Sequence, residues 1–202
     1  MKTLSAIIFS TVVLLGAATA KADTYDALKN FTCDQGSSGV WYYEAYNAED
    51  KVYKEMEFGH APILEVSRYG MDGHYLADGD QPLYPFIIRT PDYLLGSPAT
   101  EGKRTDMSLA WAAPEDCSVS VSGYVKLMGN IRGDELGKTV KVELLMNSKV
   151  LWDAEIKSGE TKQFEAKSVA ATGDRLRLRV ENAGDKSGNL SAFDMRIETS
   201  KK

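Results

Sequence analysis

The sequence predicts an all-β chain folded as an antiparallel β-sandwich of jelly-roll type. Two observations carry this. From about residue 117 onward apolar and polar residues alternate with period two, and turn signals return every ten residues or so. The first half adds two aromatic runs, VWYYEAY and PLYPFIIRT, that also read as strands.

Taken in order, residues 1–22 read as a secretory signal: an early Lys2, an apolar run from Ala6 to Ala18, and small residues at Ala18, Ala20 and Ala22 for a signal peptidase. The run is short for a membrane span and no stop-transfer sequence follows it, so no membrane insertion is expected. Residues 23–202 then form a single domain, secreted or periplasmic. In an oxidising compartment Cys33 and Cys117 are expected to pair. In the chain-entropy model such a bridge would stabilise by roughly 4–5 kcal/mol. It would also tie the aromatic, loop-rich first half, which holds most of the tyrosines, to the regular second half.

In that second half Cys117, Val119, Val121, Gly123, Val125 and Leu127 fall on one face of a strand, with Ser118, Ser120, Ser122, Tyr124 and Lys126 on the other. Val140, Val142, Leu144 and Met146 point inward on the next strand, and "NSK" turns the chain. Val150, Trp152, Ala154 and Ile156 follow on one face, then "KSGE", then Phe164 and Ala166. After "ATGD" the strand RLRLRV places Leu176, Leu178 and Val180 inside and Arg175, Arg177 and Arg179 outside. Phe193, Met195 and Ile197 belong to a last strand. Pro114, Glu115 and Asp116 make the turn between "LAWAA" and the strand starting at Cys117. The Gly/Asp-rich "GMDGHYLADGD" reads as a long loop, and long loops in compact domains are commonly functional.

The segments QGSSGVWYYEAY, LAWAAPEDCSVSVSGYV, VKVELLMNSKVLWDAEI, ATGDRLRLRV and FDMRI together resemble the galactose-binding-like β-sandwich carbohydrate-binding modules of secreted bacterial polysaccharide-processing proteins. The points of likeness are Trp111-x-x-Pro114 leading into a strand with Gly123, and the Gly173-Asp174 turn before a late strand. The resemblance spans nearly all of the mature chain and rests on structural motifs. It implies a sandwich fold, binding of a polysaccharide without transforming it, and a possible structural calcium held partly by Asp194, with Asp34 and Glu44 as candidate further ligands. Calcium needs several converging oxygens, which a single position cannot supply.

Sugar recognition needs flat apolar rings against the C–H face of a pyranose and planar polar groups for its hydroxyls. The candidate ligand-binding residues are therefore Trp41, Tyr43, His74, Tyr75, Arg89 and Trp111. In the strand VWYYEAY, Trp41 and Tyr43 share one face while Tyr42, Glu44 and Tyr46 share the other; one of the two faces must be core. Trp111 is either packing at a sheet end or a ligand contact. Asp72, Asp78 and Asp80 accompany His74 and Tyr75 in the long loop. The row Arg175, Arg177 and Arg179 reads as a solvated face offset by neighbouring carboxylates, with attraction of an anionic polysaccharide as the alternative.

With 24 basic and 29 acidic residues the chain is acidic, and losing Lys2 and Lys21 with the leader makes it more so. That balance argues against a nucleic-acid partner. GxSxG, HExxH and phosphate-cradling loops are missing from the sequence. Two alternatives stay open. One is a small polysaccharide lyase using His74, Tyr75 and Arg89, or a glycosidase using two carboxylates; the other is an adhesive or structural subunit that contacts protein.

Overall fold

The computed structural model describes residues 22–36, 40–60, 72–75, 85–98, 105–130, 139–182 and 189–201; of the segment 1–22 read as a signal all but Ala22 lies outside them, as do the positions of Asp78 and Asp80. Among these residues every regular element is a strand. They are β1 (Ala22–Asp26), β2 (Trp41–Asn47), β3 (Val52–Glu55), β4 (Glu57–His60), β5 (Asp72–Tyr75), β6 (Phe86–Arg89) and β7 (Leu94–Ser97). They continue with β8 (Thr105–Ala112), and the second half adds β9 (Cys117–Asn130), β10 (Val140–Met146), β11 (Lys149–Ile156), β12 (Thr161–Ala170), β13 (Arg175–Val180) and β14 (Asn189–Lys201).

The strands form two antiparallel sheets. One runs β12-β9-β14-β7-β6-β5-β4, with β1 also paired to β14; the other runs β11-β10-β13-β8-β2-β3. The alternation read from the sequence decides which sides face each other. Val119, Val121, Val125, Phe193, Met195 and Ile197 from the first sheet close on Leu109, Trp111, Val142, Leu144, Leu176 and Leu178 from the second in one continuous core. Gly123 is fixed by close approach, because Phe164 lies opposite it in the ladder and a Cβ there would come within 2.5 Å of that ring. The chain is an all-β antiparallel sandwich, as its periodicity predicts.

Three expectations differ from what the fold shows. Cys33 and Cys117 are not bridged: Cys33 is exposed in the loop after β1, while Cys117 starts β9 inside the core. The halves are instead tied by ladders: β8 pairs with β13 in one sheet, and β1 and β7 pair with β14 in the other. The long loop around His74 contains a short strand, β5, hydrogen-bonded between β4 and β6. Val150 is 45% exposed rather than inward. A bulge is the reason: Leu144 pairs with Trp152 but Leu145 pairs with Val150, so Leu151 is an extra residue that turns Val150 to the outside.

Two turns set the start of β13. Asn147 adopts φ 54°, a left-handed conformation asparagine tolerates. Its side-chain oxygen accepts the Arg175 N–H at 2.9 Å and its amide donates to Asp174 at 2.9 Å. Asp174 in turn accepts the Ala171 N–H at 2.8 Å. The register of the arginine row is thereby pinned to the β10–β11 turn.

Candidate functional site

The inward face of β2 and β8 takes three of the six sequence-predicted ligand residues. Trp41, Tyr43 and Trp111 are fully buried, so no ring face among them is open to a sugar. Trp111 packs against Tyr25, with ring centroids 5.4 Å apart. Trp41 and Tyr43 are corrected from binding platform to core, and of the two readings of Trp111 the structure keeps packing over ligand contact. Their parity on β2 and β8 points them into the sandwich, where burying such large rings contributes several kcal/mol.

His74 is also buried, in an aromatic box. It stacks on Tyr43 at 3.8 Å and meets Phe31 and Phe58 edge-on. Its Nε2–H donates to the Thr32 carbonyl at 2.7 Å, which leaves Nδ1 to accept from the Gln35 amide at 3.2 Å. Gln35 also donates to the Met56 carbonyl and accepts the Tyr43 N–H at 2.7 Å. Burial lowers the His74 pKa to about 4, against the opposing pull of the Thr32 carbonyl. The ring is a neutral structural post, and the lyase reading loses its base to the core. Arg89 is exposed at the end of β6; Tyr75 lies on β5, and its side chain is outside the described residues. The six candidates do not meet on one open surface.

Another surface does gather the required chemistry. On the outer side of the six-stranded sheet, β13 presents Arg175, Arg177 and Arg179, β2 presents Tyr42, Glu44 and Tyr46, and β3 presents Tyr53 and Glu55. Between β13 and β2 runs β8, whose outward residues beyond Asp106 are small: Ser108, Ala110 and Ala112. Each arginine therefore arches over β8, about 10 Å from β13 to β2 at the usual strand spacing, and meets a ring. The guanidinium carbon of Arg175 lies 3.8 Å from the Tyr42 centroid, that of Arg177 4.1 Å from Tyr53, and that of Arg179 4.3 Å from Tyr46. Tyr46 and Tyr53, opposite each other in the ladder, stand 4.6 Å apart. Roofed by this layer, Ser108 and Ala110 have no exposed surface although they point outward, and the Ser108 hydroxyl has no hydrogen-bond partner among the described residues.

Carboxylates fasten the layer. Glu44, 1% exposed, receives Arg175 on one oxygen and the Arg177 Nε–H on the other at 2.7 Å. Arg175 also reaches Glu55 at 3.5 Å. Arg179 pairs with Glu143 on β10 and approaches Asp106 on β8 at 3.8 Å, and Lys141 joins Glu143 at 2.7 Å. Burial pulls the Glu143 carboxyl upward, but Lys141 and Arg179 outweigh it and hold the group below its usual range. At Asp106 burial wins: its pKa is raised to about 6 despite the Asn182 N–H and Arg179. The arginine side chains keep 26%, 12% and 19% exposure in chain order, so the layer is covered but not closed.

On the opposite outer face a groove of about 450 Å³ is lined, among the described residues, by Ser118, Ser120, Ser200, Lys167 and Glu198 together with Ala22, Val119, Ser168 and Thr199. Asp194 lies on that sheet, half-buried, and accepts the Met195 N–H at 2.9 Å. Burial and the neighbouring Asp26 raise its pKa. Glu44, a candidate partner for it in calcium binding, is on the other side of the sandwich. Among the described residues no three His, Cys, Asp or Glu side chains are grouped to hold a metal ion, and no helix is long and apolar enough to cross a membrane.

The signal for the outer layer was present in the sequence as two separate patterns, the Tyr42/Glu44/Tyr46 face and the Arg175/Arg177/Arg179 row. Nothing in either says that β8 places them side by side.

No protein family model matches the chain, and no curated protein matches it. Among solved structures it is similar to a variant of the family 29 carbohydrate-binding module CBM29-2, at 14% identity over 80% of this chain and 87% of that one, with a TM-score of 0.39. A second variant of that module, complexed with cellulohexaose, matches at 13% identity over 79% and 93%, with a TM-score of 0.39. The CBM22-1 xylan-binding domain of Paenibacillus barcinonensis Xyn10C matches at 19% identity over 67% and 85%, with a TM-score of 0.35.

Proposed function

We propose that this chain is a secreted or periplasmic carbohydrate-binding protein that holds a polysaccharide without transforming it, on the outer face of the six-stranded sheet. The observation that carries the reading is the tyrosine and arginine layer, three rings each paired with a guanidinium on one side of one sheet. Tyr42 and Tyr46 are four residues apart on one strand, about 13 Å, a span suited to several sugar units. Rings supply apolar surface for pyranose C–H groups, and guanidinium and phenol groups supply planar donors for hydroxyls. Because the rings are clamped before a ligand arrives, little side-chain entropy is lost on binding.

Affinity electrophoresis through gels containing soluble glucans, mannans, xylans and polygalacturonate tests this. Retardation in at least one gel is expected, and Tyr53→Ala should weaken it about tenfold or more, the effect of removing a central anchor. Absence of retardation on every polysaccharide overturns the reading. A hydrolytic reading would enlist Asp106 as the acid, since its pKa lies near 6; release of reducing ends from a retained polysaccharide would favour it.

A further inference from the structure

We infer that the ligand of this face is an uncharged polysaccharide, and that the carboxylate of Glu44, with that of Glu143, excludes acidic ones by neutralising the arginines over which the sugar lies. This rests on the carbohydrate-binding reading above and specifies its substrate class.

An arginine row invites the opposite conclusion, since guanidinium groups pair bidentately with carboxylate or sulfate. Here those sites are occupied from within. Glu44 takes both Arg175 and Arg177, Glu143 takes Arg179 and Lys141, Glu55 approaches Arg175, and Asp106 approaches Arg179. Four cations thus face four carboxylates, and Asp153 and Glu155 on β11, opposite Glu143 and Lys141 in the ladder, add negative charge at the border. A uronate or sulfated sugar brought to this layer would have to displace a built-in partner or lie unpaired among carboxylates, and like-charge juxtaposition costs several kcal/mol. A neutral sugar meets no such cost. Among the described residues Arg177 engages Glu44 through Nε alone, so its two terminal nitrogens remain as donors for hydroxyls. The position of Glu44 is itself informative. A carboxylate that only solubilised the face would stand in water, whereas this one is buried between two guanidiniums, where it sets their charge and their orientation over Tyr42 and Tyr53 at once.

The test compares the wild-type protein with Glu44→Gln and Glu143→Gln in gels of neutral glucan, mannan or xylan and of polygalacturonate, at low salt. The glutamine in each variant keeps the shape and an acceptor oxygen while removing one negative charge. Circular dichroism checks that each is folded, and Glu143→Gln decides if Glu44→Gln is not. The wild type is expected to be retarded by a neutral polysaccharide and not by polygalacturonate. The variants are expected to gain retardation on polygalacturonate by at least tenfold, and to lose that gain when salt is raised. Wild-type retention on polygalacturonate equal to that on neutral gels overturns the inference while leaving carbohydrate binding intact; so does a folded variant with no gain. Failure of all three proteins in every gel overturns the carbohydrate reading and the inference with it.

Discussion

Two aromatic assemblies of this sandwich both stack a nitrogen-bearing group on tyrosine and come to opposite ends. The box around His74 stacks an imidazole on Tyr43 between Phe31 and Phe58, excludes water and keeps its titratable group neutral. The layer outside the six-stranded sheet stacks guanidiniums on Tyr42, Tyr46 and Tyr53, stays partly wet and keeps its groups charged and paired. One residue of offset on β2 separates the two: Tyr43 points in, Tyr42 points out. An aromatic cluster in a strand is therefore no evidence of a ligand until its parity is known. The largest expected effect follows from that parity. Trp111→Ala empties a fully buried site and should cost about 3–5 kcal/mol by denaturant unfolding. Tyr42→Ala, whose residue lies one strand away and on the outer side, should cost under about 1 kcal/mol in stability and act on sugar binding instead. Comparable stability losses in the two variants would erase the distinction.

A second contrast lies in how the assemblies respond to acid. His74 has its folded pKa lowered to about 4 from an ordinary 6.5, so the stability it confers is present above pH 6.5 and is lost as pH falls through 4. The full effect is on the order of 3 kcal/mol. Asp106 has its folded pKa raised to about 6 from 3.8, so its contribution runs the other way: it is present below pH 3.8 and is lost as pH rises through 6. The two terms oppose each other between pH 4 and 6. Replacing Asp106 with asparagine should steepen the loss of stability on acidification relative to wild type, and His74→Gln should flatten or reverse it. Denaturant midpoints measured from pH 4 to 7 check both signs, and parallel profiles for all three proteins would remove the contrast.

The fold was largely legible because period two is a local property. Leu176, Leu178 and Val180 against Arg175, Arg177 and Arg179 can be read from six consecutive residues, and the structure keeps that assignment. The site was legible only in pieces. Trp41 and Tyr43 were separated correctly from Tyr42 and Tyr46, but alternation alone does not say which set is inside; the ladder to β8 decides it by putting Trp111 opposite Trp41. Long-range pairing also explains the misread Val150, whose direction depends on a bulge relative to β10. His74 was a candidate because it lies in the Gly/Asp-rich segment with Tyr75 and Asp72. Its partners, Thr32 and Gln35, come from some forty residues earlier in the chain. No spacing rule reaches that far.

The smallest expected effect separates shape from charge within the outer layer. Arg177→Lys leaves the net charge unchanged and still allows an ion pair with Glu44, but a compact ammonium cannot both lie flat over Tyr53 and reach Glu44 through a fixed fork. Loss of the stacked geometry is worth about 0.5–1 kcal/mol, a severalfold weakening of sugar binding, with stability shifting by no more than that. Preference for neutral over acidic polysaccharide should stay as in wild type, because Glu44 still neutralises the position. Affinity electrophoresis of this variant beside Glu44→Gln reads the two properties apart: the lysine variant lowers retention on neutral gels at constant preference, and the glutamine variant changes the preference. If Arg177→Lys alone brought retention on polygalacturonate, the guanidinium plane rather than the Glu44 charge would be setting the selectivity of the layer.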